Sequence, residues 1–249
     1  MKPAILPLCL LFGIGVLIAS ARGTLEGNPR FRVDPTLFSV DRPVWMPEAL
    51  AVEIGTVVSQ SLGPPASLLG EEGLSTWASR AAMASPWVQA VPVTNSLFPY
   101  KAELHLSVRR PVLIADGLFW AADGTQLGEF CDGISPPPLL YDGVLDESLI
   151  KECAASAGEI LPYRSTLAEK DVGLGRVLID REGLVAFQTA QGVDVVWGRS
   201  KRYHPLAIHD LPPTGRLDNL WEVLEQYPSL ERVSRVELHL DRATIHPGP

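Results

Sequence analysis

Two stretches of alternating apolar and polar residues, joined by a turn-forming segment, lie between Ser85 and Leu113. The apolar positions are Val88, Val91 and Val93 before the turn and Leu104, Leu106 and Val108 after it. A period of two places successive side chains on opposite faces of a strand, so that one face is buried and the other lies in water. The pattern therefore predicts a β-hairpin whose apolar face must pack on other elements.

Two segments with helical spacing precede the hairpin and can cover that face. The first begins near Pro47 and ends at Gly63, and the second runs from Leu74 to the residues before Pro86, where proline stops a helix. A short apolar stretch, Thr36–Val40, predicts a strand before both helices. The order strand, helix, helix, strand, strand predicts an antiparallel sheet with both helices on its apolar face.

The second half of the chain contains further strand and helix signals. Strand patterns flank the turn pair Asp123-Gly124, and Leu145–Leu161 has apolar residues on one helical face. The remaining predicted elements are strands at Arg176–Asp180, Leu184–Thr189 and Val193–Trp197, a helix around Leu217–Leu224 and a last strand at Val233–Leu240. The predicted fold class is therefore α+β, with a mixed β-sheet domain and flanking helices in the second half.

Composition and charge narrow the functional classes. Hydrophobic residues make up 46% of the 249 residues and charged residues 20%, which supplies enough apolar surface for folded cores. The 29 acidic and 21 basic residues give a net charge of -8, which repels a phosphate backbone. We therefore expect no nucleic-acid partner.

The N-terminal segment Ala4–Ala21 contains no charged residue and is near the minimum length for a helix that crosses a membrane. It predicts an N-terminal membrane-anchor helix. The small residues at 19–21 also fit a signal-peptidase site, so a cleaved signal peptide is the alternative. In both cases the rest of the chain is expected outside the cytoplasm, where Cys131 and Cys153 either form a disulfide or remain two separate thiols.

Motifs for catalysis, metal binding or cofactor binding are not recognisable. The closest metal-like group is His204, His209 and Asp210, but its spacing fits no common zinc site and Pro205 interrupts it. The glycines within 173–175 lack the third glycine and the following helix of a dinucleotide site, and no Gly-x-Ser-x-Gly motif occurs. We therefore predict no enzymatic activity, no metal, no cofactor and no small-molecule substrate.

The element order and several short motifs resemble the bacterial cell-division protein family FtsQ, called DivIB in some lineages. The hairpin is similar to the family pattern at Pro86-Trp87-Val88, Phe98-Pro99 and Arg110-Pro111. Two further stretches are similar to the family's second domain, Gly117–Leu127 at its opening and Arg216–Tyr227 before its last strands. The closing segment Arg235–Pro247 is also similar, with Glu237 and His239 in place of an aspartate and an arginine.

The resemblance implies four segments: a transmembrane anchor or signal peptide over 1–22, a linker over 23–35, a POTRA-like (polypeptide-transport-associated) domain over 36–110 and an FtsQ-type β domain over 111–249. It further implies a single-pass protein of the inner (cytoplasmic) membrane, concentrated at the division septum, with most of the chain on the extracytoplasmic side. On this reading the protein is a non-catalytic scaffold of the division machinery. The alternative is an exported POTRA-containing factor for protein transport or envelope assembly.

The same resemblance implies how partners bind. In the family, exposed sheet edges capture small single-pass membrane proteins of the FtsB and FtsL kind by β-strand addition. The partner-binding residues implied for this chain are Val236, Glu237, Leu238, His239, Leu240 and Asp241. The alternative interpretation of this segment is an ordinary edge strand whose three apolar residues pack inward.

Overall fold

Two structural units make up the chain, Met1–Arg109 and Arg110–Pro249. The computed structural model describes residues 5–26, 28, 32–33, 39–63, 66–67, 74–97, 100–129, 131–200 and 205–248. The fold is α+β with a large mixed sheet, as the sequence predicts.

The N-terminal helix α1, Ile5–Glu26, corrects one prediction. Within the described residues, no helix has both the length and the apolar character needed to cross a membrane. The apolar part of α1 ends at Ala21 because Arg22 and Glu26 follow in the same helix, whereas a span needs about 20 consecutive apolar residues. The predicted membrane-anchor helix is therefore wrong, and so is the single-pass inner-membrane location derived from it.

The sheet of unit 1 is built around one long strand. This strand, β6 (Tyr100–Val108), pairs in parallel with β2 (Ser39–Val40) and antiparallel with β4 (Val88–Ala90) and β5 (Val93–Leu97). The pairing of the predicted hairpin ends at Leu97 and Tyr100. Asn95 and Ser96 of the predicted turn lie in β5, and its residues 98–99 lie outside the described residues. Two very short strands, β1 (Arg32–Val33) and β3 (Ala66–Ser67), form a separate antiparallel pair.

Two helices supply the core of unit 1, where the sequence predicts them. Helix α2, Glu48–Leu62, packs against β2 and against α3, Leu74–Ala84, which also contacts β4. The buried positions of α2 are Leu50, Ile54, Val58 and Leu62, which recur at helical spacing. Gly63 ends α2 with φ 74°, a conformation that favours glycine.

Unit 2 contains a nine-stranded mixed sheet. Its strands are β7 (Pro111–Ala115), β8 (Leu118–Ala121), β9 (Gln126–Glu129), β10 (Leu139–Tyr141), β11 (Leu174–Ile179), β12 (Val185–Thr189), β13 (Asp194–Gly198), β14 (Val233–Glu237) and β15 (Thr244–Pro247). Their spatial order is β15-β14-β13-β12-β11-β10-β7-β8-β9. The pairs β7–β10, β10–β11 and β13–β14 are parallel and the others antiparallel, so β15 and β9 form the two borders.

Three helices complete unit 2: α4 (Glu147–Ile160), α5 (Arg164–Glu169) and α6 (Pro213–Gln226). Their apolar side chains share one buried core with those of the sheet, including Cys153, Leu167, Leu220, Phe187 and Val236. Asp146 caps α4 by accepting hydrogen bonds from the backbone N–H groups of Ser148 and Leu149.

The segment after the domain boundary differs from its prediction. The sequence suggests one turn at Asp123-Gly124, but a first turn at Asp116-Gly117 separates β7 from β8. Both turn residues have positive φ, 50° and 73°, as a two-residue hairpin turn requires. Three strands therefore replace the two predicted ones.

Candidate functional site

The residues of the partner-binding hypothesis lie in three different environments. Val236 and Glu237 end β14, which has β13 on one side and β15 on the other. Leu238 and His239 follow the strand and are buried, whereas 240–241 are exposed in the connection to β15. The segment therefore lies one strand inside the sheet border and leads directly into the border strand.

Strand β15 forms that border. It runs antiparallel to β14, with Thr244 opposite Glu237 and Ile245 opposite Val236. Thr244, His246 and Pro247 are exposed, and no described residue forms a strand on the outer side of β15. The border strand of a sheet presents backbone N–H and C=O groups along its free side. In β15 the Ser234 hydroxyl donates to the carbonyls of His246 and Pro247 at 3.2 and 3.1 Å, and Pro247 has no N–H.

Charged side chains cover the β14–β15 hairpin next to this border. The Glu237 Oε1 atom lies 3.0 Å from Arg235 Nε and 3.6 Å from His246 Nε2. Both pairs are partly exposed, so solvent weakens their contribution to stability. They make the border polar and mixed in charge.

Hydrogen bonds from helix α6 and from the segment before it hold the connection between β14 and β15. The Asn219 side-chain amide donates hydrogen bonds to the Leu238 carbonyl at 3.1 Å and to the Leu240 carbonyl at 2.9 Å. The Leu211 N–H donates to the His239 carbonyl at 2.9 Å. Three consecutive carbonyls of the predicted site are thus held by buried or partly buried donors.

A buried arginine, Arg216 of α6, is the centre of the ionic network beneath this connection. Its side chain is fully buried, and its nitrogens lie 3.5 Å from Glu159 Oε2 and 4.0 Å from Asp210 Oδ2. It also donates to the backbone carbonyls of Leu211 at 2.7 Å and Arg199 at 3.1 Å. Burial lowers the pKa of Arg216, while Glu159 and Asp210 act in the opposite direction.

Asp210 links this arginine to the end of β13. Its side chain, 3% exposed, accepts a hydrogen bond from the Arg199 backbone N–H at 2.7 Å and lies 3.3 Å from the Arg199 guanidinium. A buried carboxylate requires such partners because an unpaired buried charge is strongly destabilising. Asp210 is therefore engaged in holding three chain segments together.

Helix α4 joins the network through two further carboxylates. Glu159 accepts a hydrogen bond from the Trp197 indole at 2.7 Å, and Glu152 accepts one from the Ser200 N–H at 3.2 Å. The guanidinium of Arg216 lies 5.6 Å from the Trp197 ring centre, at cation–π distance. The network thus connects α4, α6 and the end of β13.

His239 packs on the backbone at Gly198, where no larger residue fits. A Cβ atom at Gly198 would lie 2.6 Å from His239 Cβ and 2.8 Å from Asp210 Oδ2, and Gly198 has φ 111°. The Nδ1 atom of His239 is buried and has no hydrogen-bond partner among the described residues. Burial lowers the pKa of His239. The charges of Asp210 and Glu237 act to raise this pKa, and those of Arg199 and Arg216 act to lower it further.

The other candidates from the sequence receive no support as a reactive centre. His204 lies outside the described residues, His209 is exposed and Asp210 is used by the arginine network. No cluster of three or more His, Cys, Asp or Glu side chains in the described part of the chain could hold a metal ion. Cys131 and Cys153 are not joined in a disulfide, and burial raises the pKa of Cys153.

Sequence reasoning missed two parts of this site. Strand β15 was not separated from β14, although the β-branched pair Thr244-Ile245 after the polar residues Asp241-Arg242 is a usable signal. The arginine network has no signal of this kind, because Arg216 lies in an amphipathic helix where a charged residue predicts exposure.

Comparisons with known proteins leave the family open. No protein-family model matches the chain, and no curated protein matches it.

Proposed function

We propose that this protein is a non-catalytic scaffold that binds small protein partners by β-strand addition at β15. The observation that carries the proposal is the position of β15: it is the border strand of the nine-stranded sheet, and three of its four residues are exposed. A partner segment can extend the sheet there through backbone hydrogen bonds. The binding border lies one strand beyond the segment Val236–Asp241 that the resemblance implies.

The surroundings of β15 support a binding role rather than a catalytic one. The ionizable groups nearest to it, Glu237, Arg235 and His246, neutralise one another at the surface. Below them, Asp210 and Arg216 are occupied by structural contacts. General acid–base catalysis requires ionizable groups that can reach a substrate. The ionizable side chains near β15 are instead paired with other residues of the protein.

Unit 1 offers a second incomplete sheet edge that fits the same type of binding. Within the described residues, strand β2 pairs with β6 at Ser39 and Val40, and β6 extends beyond these pairs. Ser107 and Val108 of β6 line an open cavity of about 380 Å³ together with Asp41 and Arg42. An added strand at this position would continue the pairing that β2 begins.

The partners proposed from the resemblance are division proteins of the FtsB and FtsL kind. The test uses purified protein with a photoreactive amino acid at Thr244 or at His246, mixed with the FtsB-like and FtsL-like proteins of the same organism. A matched control carries the probe at Glu225, an exposed residue of α6. We expect crosslinks from both β15 positions and none above background from Glu225.

Two outcomes would overturn the proposal. One is equal crosslinking from Glu225 and from β15, which would indicate nonspecific contact. The other is the absence of crosslinks at Thr244 and His246 although the proteins form a complex on size-exclusion chromatography, which would place the partner on another surface.

A further inference from the structure

The imidazole of His239 occupies an unusual position for a titratable group. It lies in the connection between β14 and β15, in a residue that is 7% exposed, and its Nδ1 atom has no hydrogen-bond partner in the part of the chain that the structure describes. Its Cβ lies against Gly198, a contact that leaves no room for an added methyl group. A proton on this ring would therefore have to be accommodated inside the packed structure.

The charged groups around His239 are already balanced. The charged groups that act electrostatically on His239 are Arg199 and Asp210 near the β13 end, Glu237 of β14 and Arg216 of α6. Asp210 is paired with both arginines. The remaining carboxylate, Glu237, is paired with Arg235 and lies near His246.

An imidazolium at position 239 would thus add a positive charge without a free carboxylate to receive it. Bringing an uncompensated charge into such a site is costly, and exposure to water is the alternative. The three hydrogen bonds that hold the connection, from Leu211 to His239 and from Asn219 to Leu238 and Leu240, oppose that exposure. Turning the ring out to solvent would require the 238–240 backbone to leave these donors.

We propose that protonation of His239 releases the β14–β15 connection, so that the border strand β15 becomes less ordered in acid. The elements involved are the buried ring, the contact of His239 with Gly198, and the three hydrogen bonds accepted by the carbonyls of residues 238–240. The inference concerns the order of β15 in the protein alone and goes beyond the proposed function. The experiment that tests it needs no partner protein, so this inference and the proposed binding function can be refuted independently.

The direction of the pH effect follows from proton binding. The pKa of His239 is lower in the folded state than in the unfolded chain, where it is near the ordinary histidine value. The state in which β15 is ordered is therefore most stable above the ordinary histidine pKa. It loses stability as the pH falls from that pKa towards the lower pKa of His239 in the folded protein. For one proton, the opening equilibrium constant increases by at most about tenfold per pH unit in this interval.

Hydrogen–deuterium exchange of the whole protein between about pH 8 and about pH 5, where imidazole groups titrate, tests the inference. Exchange rates of β14–β15 amides are corrected for the intrinsic pH dependence and compared with those of β12. We expect the opening of β14–β15 to increase as the pH falls, up to the tenfold limit per pH unit, while β12 stays protected. The variant His239→Gln should remove this increase.

His246→Gln is the matched control, because His246 is the other histidine of the hairpin and lies 3.6 Å from Glu237. This variant should keep the pH response of the wild-type protein. The proposal is overturned if His239→Gln responds to pH as the wild-type protein does, or if His246→Gln alone abolishes the response.

An NMR titration of the wild-type protein covers the case in which His239→Gln fails to fold. The proposal requires the His239 ring resonances and the β15 amide resonances to change over the same pH interval. Protonation of His239 with unchanged β15 amide resonances would contradict it.

Discussion

Replacing Arg216 by methionine tests whether the buried network stabilises unit 2. The substitution removes a fully buried guanidinium but keeps an unbranched side chain that can fill much of its volume. It leaves Glu159 without an arginine, leaves Asp210 with Arg199 alone, and removes donors from two backbone carbonyls. The main loss is therefore the uncompensated charge rather than a cavity.

The expected size of this effect follows from the burial of the pair. Removing one partner of a buried ion pair lowers the free energy of unfolding by about 3–5 kcal/mol. Because small domains have a total of about 5–15 kcal/mol, the loss is a large fraction of their stability. For a unit of this size it corresponds to a fall in Tm of roughly 10–20 °C.

Urea denaturation followed by circular dichroism measures the change, with Arg176→Met as the matched control. Arg176 is exposed and pairs with Asp142 at 3.2 Å, so its replacement should cost less than about 1 kcal/mol. The double variant Arg216→Met/Glu159→Gln should recover part of the loss, because it also removes the carboxylate that Arg216→Met leaves without an arginine. A loss for Arg216→Met no larger than that of Arg176→Met would refute the reasoning.

Two further substitutions test the connection between β14 and β15. Asn219→Ala removes the hydrogen bonds to the carbonyls of Leu238 and Leu240. It should lower the free energy of unfolding by about 1–3 kcal/mol and increase amide exchange in β15. Unchanged amide exchange in β15 would contradict the anchoring role of Asn219. Gly198→Ala should destabilise the protein more than Gly117→Ala in urea denaturation, because both positions have positive φ but only at Gly198 would the added Cβ lie within 3 Å of neighbouring side chains. Equal losses would argue against the close contact with His239.

The long elements could be predicted from the sequence because their apolar spacing reflects their own geometry. Helix α4 lies within the predicted range Leu145–Leu161, and α2 ends at the predicted Gly63. The buried residues of α2 recur every four positions, and α4 contains the buried series Ile150, Cys153, Ala157 and Ile160, a spacing that a packed helix requires wherever it lies in the fold. Such patterns depend on the local chain and need no information about neighbours.

Short strands could not be predicted in the same way. Strand β10 has only three residues, Leu139–Tyr141, yet it joins β7 to β11 in the middle of the sheet. Three residues are too few to show a period of two, and its strand conformation depends on hydrogen bonds to both neighbours. Strand β15 is of the same kind, since it is defined by its pairing with β14.

The membrane prediction failed for a related reason. Ala4–Ala21 satisfies the criterion of an uncharged stretch, but the helix that contains residues 5–21 continues through Arg22 to Glu26. Composition therefore identifies an apolar segment, but it does not show where the helix that contains this segment ends.

The sequence by itself determined the α+β class, the order of the main elements and the absence of a recognisable catalytic motif, because periodicity and motif spacing are properties of neighbouring residues. The tertiary structure decided that β15 is the border, that Arg216 and His239 are buried, and that Gly198 must remain small. Each of these depends on segments far apart in the chain, 198–200, 210–216 and 238–240, that meet only when the sheet and α6 have assembled. Burial and pairing belong to that assembly, and no single stretch of the chain encodes them.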